Sequence, residues 1–249
     1  MRLLIFAFVI ALLGCQSKES PQITHADTTD PAPRKLVENR YNVGILIMDG
    51  VYNTELTAPY DIFQHTQYRD SITAMNVFTL ANTTAPITTF EGIRMLPDYN
   101  YLSDDLPQID ILVVPSAEHH LDTDLEDKAM IDFVKRTAEN ALYVTSHCDG
   151  AFVLAKAGLL DGRTSTTFPT DIDAMREMFP ELDIRKDVLF VHDGKYITSA
   201  GGARSFEAAL YLSELLYGKE VARRLAQGLV IDWDLNEVPH IVIDHSETP

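Results

Sequence analysis

Short apolar runs alternate with amphipathic stretches along most of this chain. Residues 41–48 (YNVGILIM) are rich in Ile and Val and stop at Asp49-Gly50, the pattern of a strand buried on both faces. From 55 to 65, Leu56, Tyr60 and Phe63 recur at helical spacing, with Asn53 or Thr54 as cap and Pro59 accommodated in the first turn. Residues 75–81 read as a second strand, 87–96 as a hairpin or bulged pair with Gly92 in its middle, and 110–115 (DILVVP) as another buried strand. An amphipathic helix is predicted over 123–140, with Leu125, Met130, Phe133 and Val134 on one side. A strand over 141–147 then runs directly into a helix, with Cys148 at the junction. Gly158 ends that helix; a Thr-rich strand (163–168) and a short helix (171–178) follow. Residues 188–191 and 196–199 flank His192-Asp193-Gly194-Lys195, a hairpin signal, before helices over 205–217 and 219–230 and a tail over 233–243. Strands alternating with helices predict a parallel sheet between two helix layers, with ligands at the C-terminal edge of the strands.

The N-terminus breaks this pattern. Met1-Arg2 is a basic start, residues 3–13 are an unbroken apolar run, and Leu12-Leu13-Gly14-Cys15 closes it ahead of polar residues. That run is too short for the ~20 residues of a membrane-spanning helix and reads as a signal peptide (1–14). The Leu-Leu-Gly-Cys ending resembles a bacterial lipobox, which implies cleavage before Cys15, acylation of that cysteine, and a mature protein tethered at the cell envelope and facing the periplasm. The alternative is an ordinary secretory signal with an incidental cysteine. Residues 15–40, polar and containing Pro21, Pro31 and Pro33, form a flexible tether; 41–240 form one domain and 241–249 a tail.

The formal net charge of −17 repels phosphate backbones and anionic headgroups, and no basic stripe with interleaved aromatics occurs, so a nucleic-acid partner is not expected. The chain holds only two cysteines, Cys15 and Cys148, so lipidation of the first leaves no pair for an intrachain disulfide. No Gly-rich phosphate loop and no paired-ligand zinc spacing is present, so neither a cofactor nor a metal is expected, and a homodimer is the default assembly.

The chemistry converges on three predicted strand ends: 49–55, 115–120 and 147–149. A cysteine on a sharp strand-to-helix turn is held at the sheet edge, where the helix N-terminus favours negative charge on sulfur. The competing reading is a buried cysteine that fills space. Glu55 is read either as a proton-handling partner of Cys148 or as a helix residue complementing the macrodipole. Asp149 raises the thiol pKa unless it points away or caps the helix. The backbone amides of Ser116, Ala117 and Asp149 are candidates for an oxyanion hole. His119 and His120 are pocket candidates, one of them as a base, although adjacent histidines in a polar loop are more often solvated. Phe168, Gly201 and Gly202 complete the expected pocket. His147, on the opposite strand face, is expected to pack in the core.

Taken together, Glu55-Leu-Thr-Ala-Pro59, Val113-Val-Pro115, Val144-Thr-Ser-His-Cys148-Asp-Gly-Ala, Ala157-Gly-Leu-Leu-Asp-Gly162-Arg, Thr166-Thr and Thr198-Ser-Ala-Gly-Gly202 resemble the ThiJ/PfpI branch of the class I glutamine amidotransferase-like superfamily. Within it they are most similar to isonitrile hydratases and to the sensor domains of AraC-type regulators. The resemblance implies a three-layer α/β/α sandwich with a mainly parallel, flavodoxin-like sheet and a nucleophile elbow. It implies Cys148 as nucleophile, Glu55 as the family's acidic residue, and Asp149 in place of a threonine or histidine. The chain departs from the family where Pro-Gly-Gly becomes Pro115-Ser116-Ala117 and where Phe168-Pro169 replaces a His-Trp pair. The activity expected is a cysteine-dependent hydratase or hydrolase acting on a small electrophile; the alternative is a non-catalytic ligand or oxidant sensor. A DNA-binding regulator is not expected, because too few residues follow the last helix for a helix-turn-helix pair.

Overall fold

The computed structural model describes residues 35–245; the apolar leader and Cys15 lie outside the described residues. The first half of the fold contains β1 (Asn42–Leu46), α1 (Asn53–Gln64), β2 (Asn76–Ala81), the hairpin of β3 (Ile87–Thr88) and β4 (Arg94–Met95), β5 (Tyr99–Asn100) and β6 (Ile111–Val114). Next come α2 (Lys128–Asn140), β7 (Tyr143–His147), α3 (Gly150–Lys156), β8 (Thr164–Ser165), α4 (Ile172–Met178) and β9 (Asp183–Ile184). The chain then forms the β10 (Phe190–Asp193) and β11 (Tyr196–Ser199) hairpin, α5 (Ser205–Tyr217), α6 (Lys219–Gln227) and β12 (His240–Ile243).

Eight strands form one sheet in the order β12-β10-β11-β7-β6-β1-β2-β5. The run β2-β1-β6-β7-β11 is parallel throughout. This is the flavodoxin-like order, whose reversal point lies between β1 and β6. Alternation along the strands builds two cores. Val43 and Ile45 of β1 and Ile111 and Val113 of β6 pack with α1, α5 and α6, whereas Leu46, Leu112 and Val114 pack with α2 and α3. The α/β/α sandwich anticipated from the sequence is therefore the observed fold.

Local departures have physical causes. Helix α1 begins at Asn53, so Pro59 lies in its second turn and removes the helical bond to the carbonyl of Glu55. Neither Asn53 nor Thr54 caps this helix; Glu91 Oε2 accepts from the Asn53 amide instead, at 3.0 Å. The helix predicted over 123–140 splits at Asp127, whose side chain accepts from the Met130 amide and starts α2 afresh. The Thr-rich strand shortens to two residues.

Both domain edges move outward. Residues 241–243, expected as tail, belong to β12, which runs parallel to β10 with His240 opposite Phe190 and Ile243 opposite Asp193. Upstream, the Val37 amide donates to Asn76 Oδ1 at 3.1 Å, so the end of the expected tether is fastened to β2.

Candidate active site

Cys148 sits between β7 and α3 at φ 53, a left-handed backbone that costs a β-carbon-bearing residue roughly 1–2 kcal/mol. Three contacts hold it there. Its amide donates to the Ser199 carbonyl at 2.9 Å, and its carbonyl accepts from Thr167 Oγ1 at 3.0 Å. Gly201 packs directly against it: a Cβ on Gly201 would lie 2.5 Å from Cys148 N and 2.8 Å from Cys148 Cα. Gly150 is equally constrained, because a Cβ there would collide with the Val114 carbonyl and stand 3.0 Å from that of Pro115. The sulfur is thus fixed by backbone packing at the sheet's C-terminal edge.

Glu55 joins three loops around this sulfur. Its Oε2 accepts from the Ser116 amide at 3.1 Å and its Oε1 from the Gly202 amide at 2.9 Å. The carboxyl is buried, 5% exposed, and lies against the Cys148 thiol. Burial raises the Glu55 pKa, opposed by the hydrogen bonds from Gly202, Cys148 and Ser116. Burial also pushes the thiol far up, and the charges of Glu55 and Asp149 push it further. The Ser116 side chain, fully buried beside the sulfur, opposes part of this rise.

Asp149 neither points away nor caps α3. Its Oδ2 lies 3.5 Å from Cys148 Sγ and its Oδ1 accepts from Thr167 Oγ1 at 3.2 Å. Burial, then the charge of Asp171, raises its pKa to about 6. The sulfur therefore has a buried carboxyl group on each of two sides. Three acids share few protons, and the thiol is the weakest of them.

The expected oxyanion hole is not free. The Ser116 amide is committed to Glu55, and the Ala117 amide donates to His120 Nδ1 at 3.2 Å. Asp149 contributes the remaining amide of the expected three, and no protein acceptor for it occurs among the described residues. The two histidines are also displaced from their expected place. His120 is fully buried with Nε2 3.4 Å from Met48 Sδ, and desolvation lowers its pKa to about 3, so it is a neutral prop for the 115–117 loop. His119 is exposed and faces Asp122 at 3.2 Å. Neither lines the cavity above Cys148. His147 packs in the core as expected, its Nδ1 3.1 Å from Ser199 Oγ.

That cavity, about 350 Å³, is walled by Cys148, Glu55, Asp149, Phe168 and Gly202, with Gly201 behind the cysteine. Tyr52 and Thr54, from the strand end expected there, also line it, together with Glu91 and Asp171, which the sequence did not mark as site residues. Glu91 arrives on the β3–β4 hairpin, which the Phe90 amide ties to the Val51 carbonyl at 3.0 Å and which sets the Phe90 ring against Tyr52, tilted by 38° with ring centroids 4.7 Å apart. Only a fold-level contact between the hairpin and the start of α1 exposes this. Among the described residues, no three His, Cys, Asp or Glu side chains form a group able to hold a metal ion.

Comparison with known proteins accords with this geometry. The chain is 30% identical over 182 residues to isonitrile hydratase from Pseudomonas putida, covering 73% of this chain and 74% of the hydratase. The crystal structure of Drosophila melanogaster DJ-1beta superposes with TM-score 0.67 at 21% identity, covering 78% of this chain and 100% of that one. An AraC family transcriptional regulator from Pseudomonas putida superposes with TM-score 0.63 at 19% identity, covering 76% and 99% respectively. The last two are likenesses of fold alone. The named enzyme among these relatives agrees with a cysteine-type enzyme or sensor in general. The sequence pattern of the DJ-1/PfpI family matches residues 41–215, and with its cysteine elbow on a flavodoxin-like sheet the chain belongs to the DJ-1/PfpI family.

Proposed function

We propose that this domain is a cysteine-dependent enzyme that hydrates or hydrolyses a small electrophilic molecule. The observation that carries the reading is the sulfur of Cys148 in contact with two buried carboxyl groups at the floor of a cavity of small-molecule size. In the resting site the thiol keeps its proton. As the electrophile approaches, that proton passes to Glu55 while sulfur bonds to the electrophilic carbon, so no net charge is created in the pocket. Glu55 then gives the proton to the heteroatom that received the displaced electron pair. Asp149, with its pKa near 6, is a carboxylate above that pH and takes a proton from the attacking water. The C–S bond breaks, its electron pair returns to sulfur, and the proton on Asp149 restores the thiol. Water has been added and every group is reset.

The test is a screen of isonitriles, dicarbonyls and small amides with the native protein and with Cys148→Ala. Turnover lost in the variant, at unchanged thermal stability, supports the reading; no Cys148-dependent turnover of any compound sinks it. A sensor without turnover is the second reading, favoured by the commitment of the Ser116 and Ala117 amides to Glu55 and His120. It predicts that peroxide converts Cys148 to sulfinic acid with no substrate consumed, which mass spectrometry reads directly.

Export and acylation at Cys15 belong to the same proposal, resting on the Leu-Leu-Gly-Cys ending of the leader. Metabolic labelling with a fatty-acid analogue checks it: label present in the native chain and absent from Cys15→Ser supports the anchor, and an unlabelled native chain overturns it.

A further inference from the structure

We infer that the cavity above Cys148 selects small organic cations, so that the electrophile it takes carries a positively charged group close to its reacting carbon. The inference rests on the nucleophile reading and deepens it. Four carboxyl groups, Glu55, Glu91, Asp149 and Asp171, line the cavity together with the aromatic rings of Tyr52 and Phe168. No Lys, Arg or His is among its lining residues. The surroundings are as one-sided as the lining: the charged groups acting most strongly on Tyr52, Glu55, Cys148 and Asp149 are acids in every case.

The acids are built in rather than scattered. Glu91 is held over the mouth by the Asn53 amide at 3.0 Å, and Tyr52 is braced by Phe90. Glu55 and Asp149 are held at the floor by the hydrogen bonds already described. Aromatic faces carry negative quadrupole potential, so Tyr52 and Phe168 add to the attraction for a cation and favour an organic one over a hydrated metal ion. An anion entering the same space meets carboxyl groups on several sides without a compensating donor side chain of positive charge.

A cationic substrate would also resolve the electrostatic problem of the site. The thiol is held protonated by burial and by its acidic neighbours. A positive charge seated closer to the sulfur than to the Glu55 carboxyl opposes those neighbours, lowers the cost of negative sulfur and favours passage of the thiol proton to Glu55. The nucleophile is then formed when a matching ligand is present and stays a thiol when none is.

The probes are three methanethiosulfonates of similar size: a trimethylammonioethyl, a neutral alkyl and a sulfonatoethyl reagent. Each rate of disulfide formation at Cys148, with sulfinate leaving, is read by peptide mass and divided by that reagent's rate with 2-mercaptoethanol. At about 0.15 M salt, where screening acts over about 8 Å, the normalised cation-to-anion ratio is expected to be about ten- to hundredfold. Glu91→Gln and Asp171→Asn should each cut that ratio several-fold. Glu139→Gln, an exposed acid just ahead of β7 and so at the opposite end of the sheet, should leave it unchanged. Equal normalised rates for the three reagents overturn the inference while leaving the nucleophile reading intact. A ratio that falls as much in Glu139→Gln as in the pocket variants also overturns it, since the preference would then belong to the whole negative surface. Failure of Cys148 to react with any reagent overturns the nucleophile reading, and this inference with it.

Discussion

Gly201→Ala tests whether the cysteine elbow is held by backbone contact. Gly201 has φ 74 and ψ −152, a region reached almost only by glycine and costing other residues about 1–3 kcal/mol. The added Cβ would also stand 2.5 Å from Cys148 N and 2.8 Å from Cys148 Cα. These are backbone atoms, so no rotamer change relieves the overlap and the elbow itself must shift, at an overpacking cost of about 1–3 kcal/mol. The sum is roughly 2–6 kcal/mol, which for a domain of this size lowers Tm by on the order of 10 °C. Gly202→Ala is the control, because a Cβ there meets nothing within 4 Å and only its φ of 58 is penalised. It should lose about 1 kcal/mol, a few degrees of Tm. Thermal unfolding by circular dichroism gives both values, and alkylation of Cys148 well below Tm reports the elbow's position. Equal losses in the two variants, or native stability and thiol reactivity in Gly201→Ala, would refute the reasoning.

The carboxyl groups make three further predictions. In Glu55→Gln one side-chain NH2 must face the Ser116 or Gly202 amide, donor against donor, so the variant should lose about 1–3 kcal/mol in urea unfolding as well as turnover; unchanged stability would show that the amides do not clamp this group. Asp149 has its pKa raised from 3.8 to about 6, so the native state binds its proton more tightly than the unfolded chain. The stability this adds is full below pH 3.8 and lost as pH rises through about 6, a loss of about 3 kcal/mol at 1.36 kcal/mol per pH unit. Asp149→Asn should flatten that part of the stability profile, and a native-like slope between pH 4 and 6 in the variant would count against the assignment. Thr167→Val removes the hydroxyl bonded to Cys148 O and Asp149 Oδ1, so the same pH step should move upward and the protein should lose about 1–2 kcal/mol; a step at the native position would refute that link.

The parallel sheet was readable in the chain because its central strands, such as Ile111–Val114, are apolar runs buried on both faces. The elbow was readable because Cys148 lies between such a run and a helix beginning at Gly150. What escaped were contacts set by long-range geometry. The bond that occupies the Ser116 amide comes from Glu55, 61 residues away, and the side-chain torsion that turns Asp149 to the sulfur has no signature in residue order. The β3–β4 hairpin was anticipated, but its position over the cavity, which brings in Glu91, depends on contacts with Val51 and Tyr52. The short HIVI segment of β12 read as a tail because it closes the sheet edge, where one flank and part of each face stay open and the apolar signal is weak.

At Cys148 a helix start and two buried carboxyl groups act on the thiol in opposite directions. A thiol at a helix start is ordinarily pulled toward the thiolate. Here burial and two carboxyl neighbours win, and the thiol stays protonated. A protonated thiol reacts slowly with peroxide, since the thiolate is the nucleophile that attacks it. The same arrangement supplies the remedy, because both carboxyl groups touch the sulfur and a proton can cross to either without leaving the pocket. Reactivity therefore depends on whatever changes the balance among the three, and a ligand's own charge, placed between Glu91, Asp171 and the sulfur, is the change this cavity is shaped to receive.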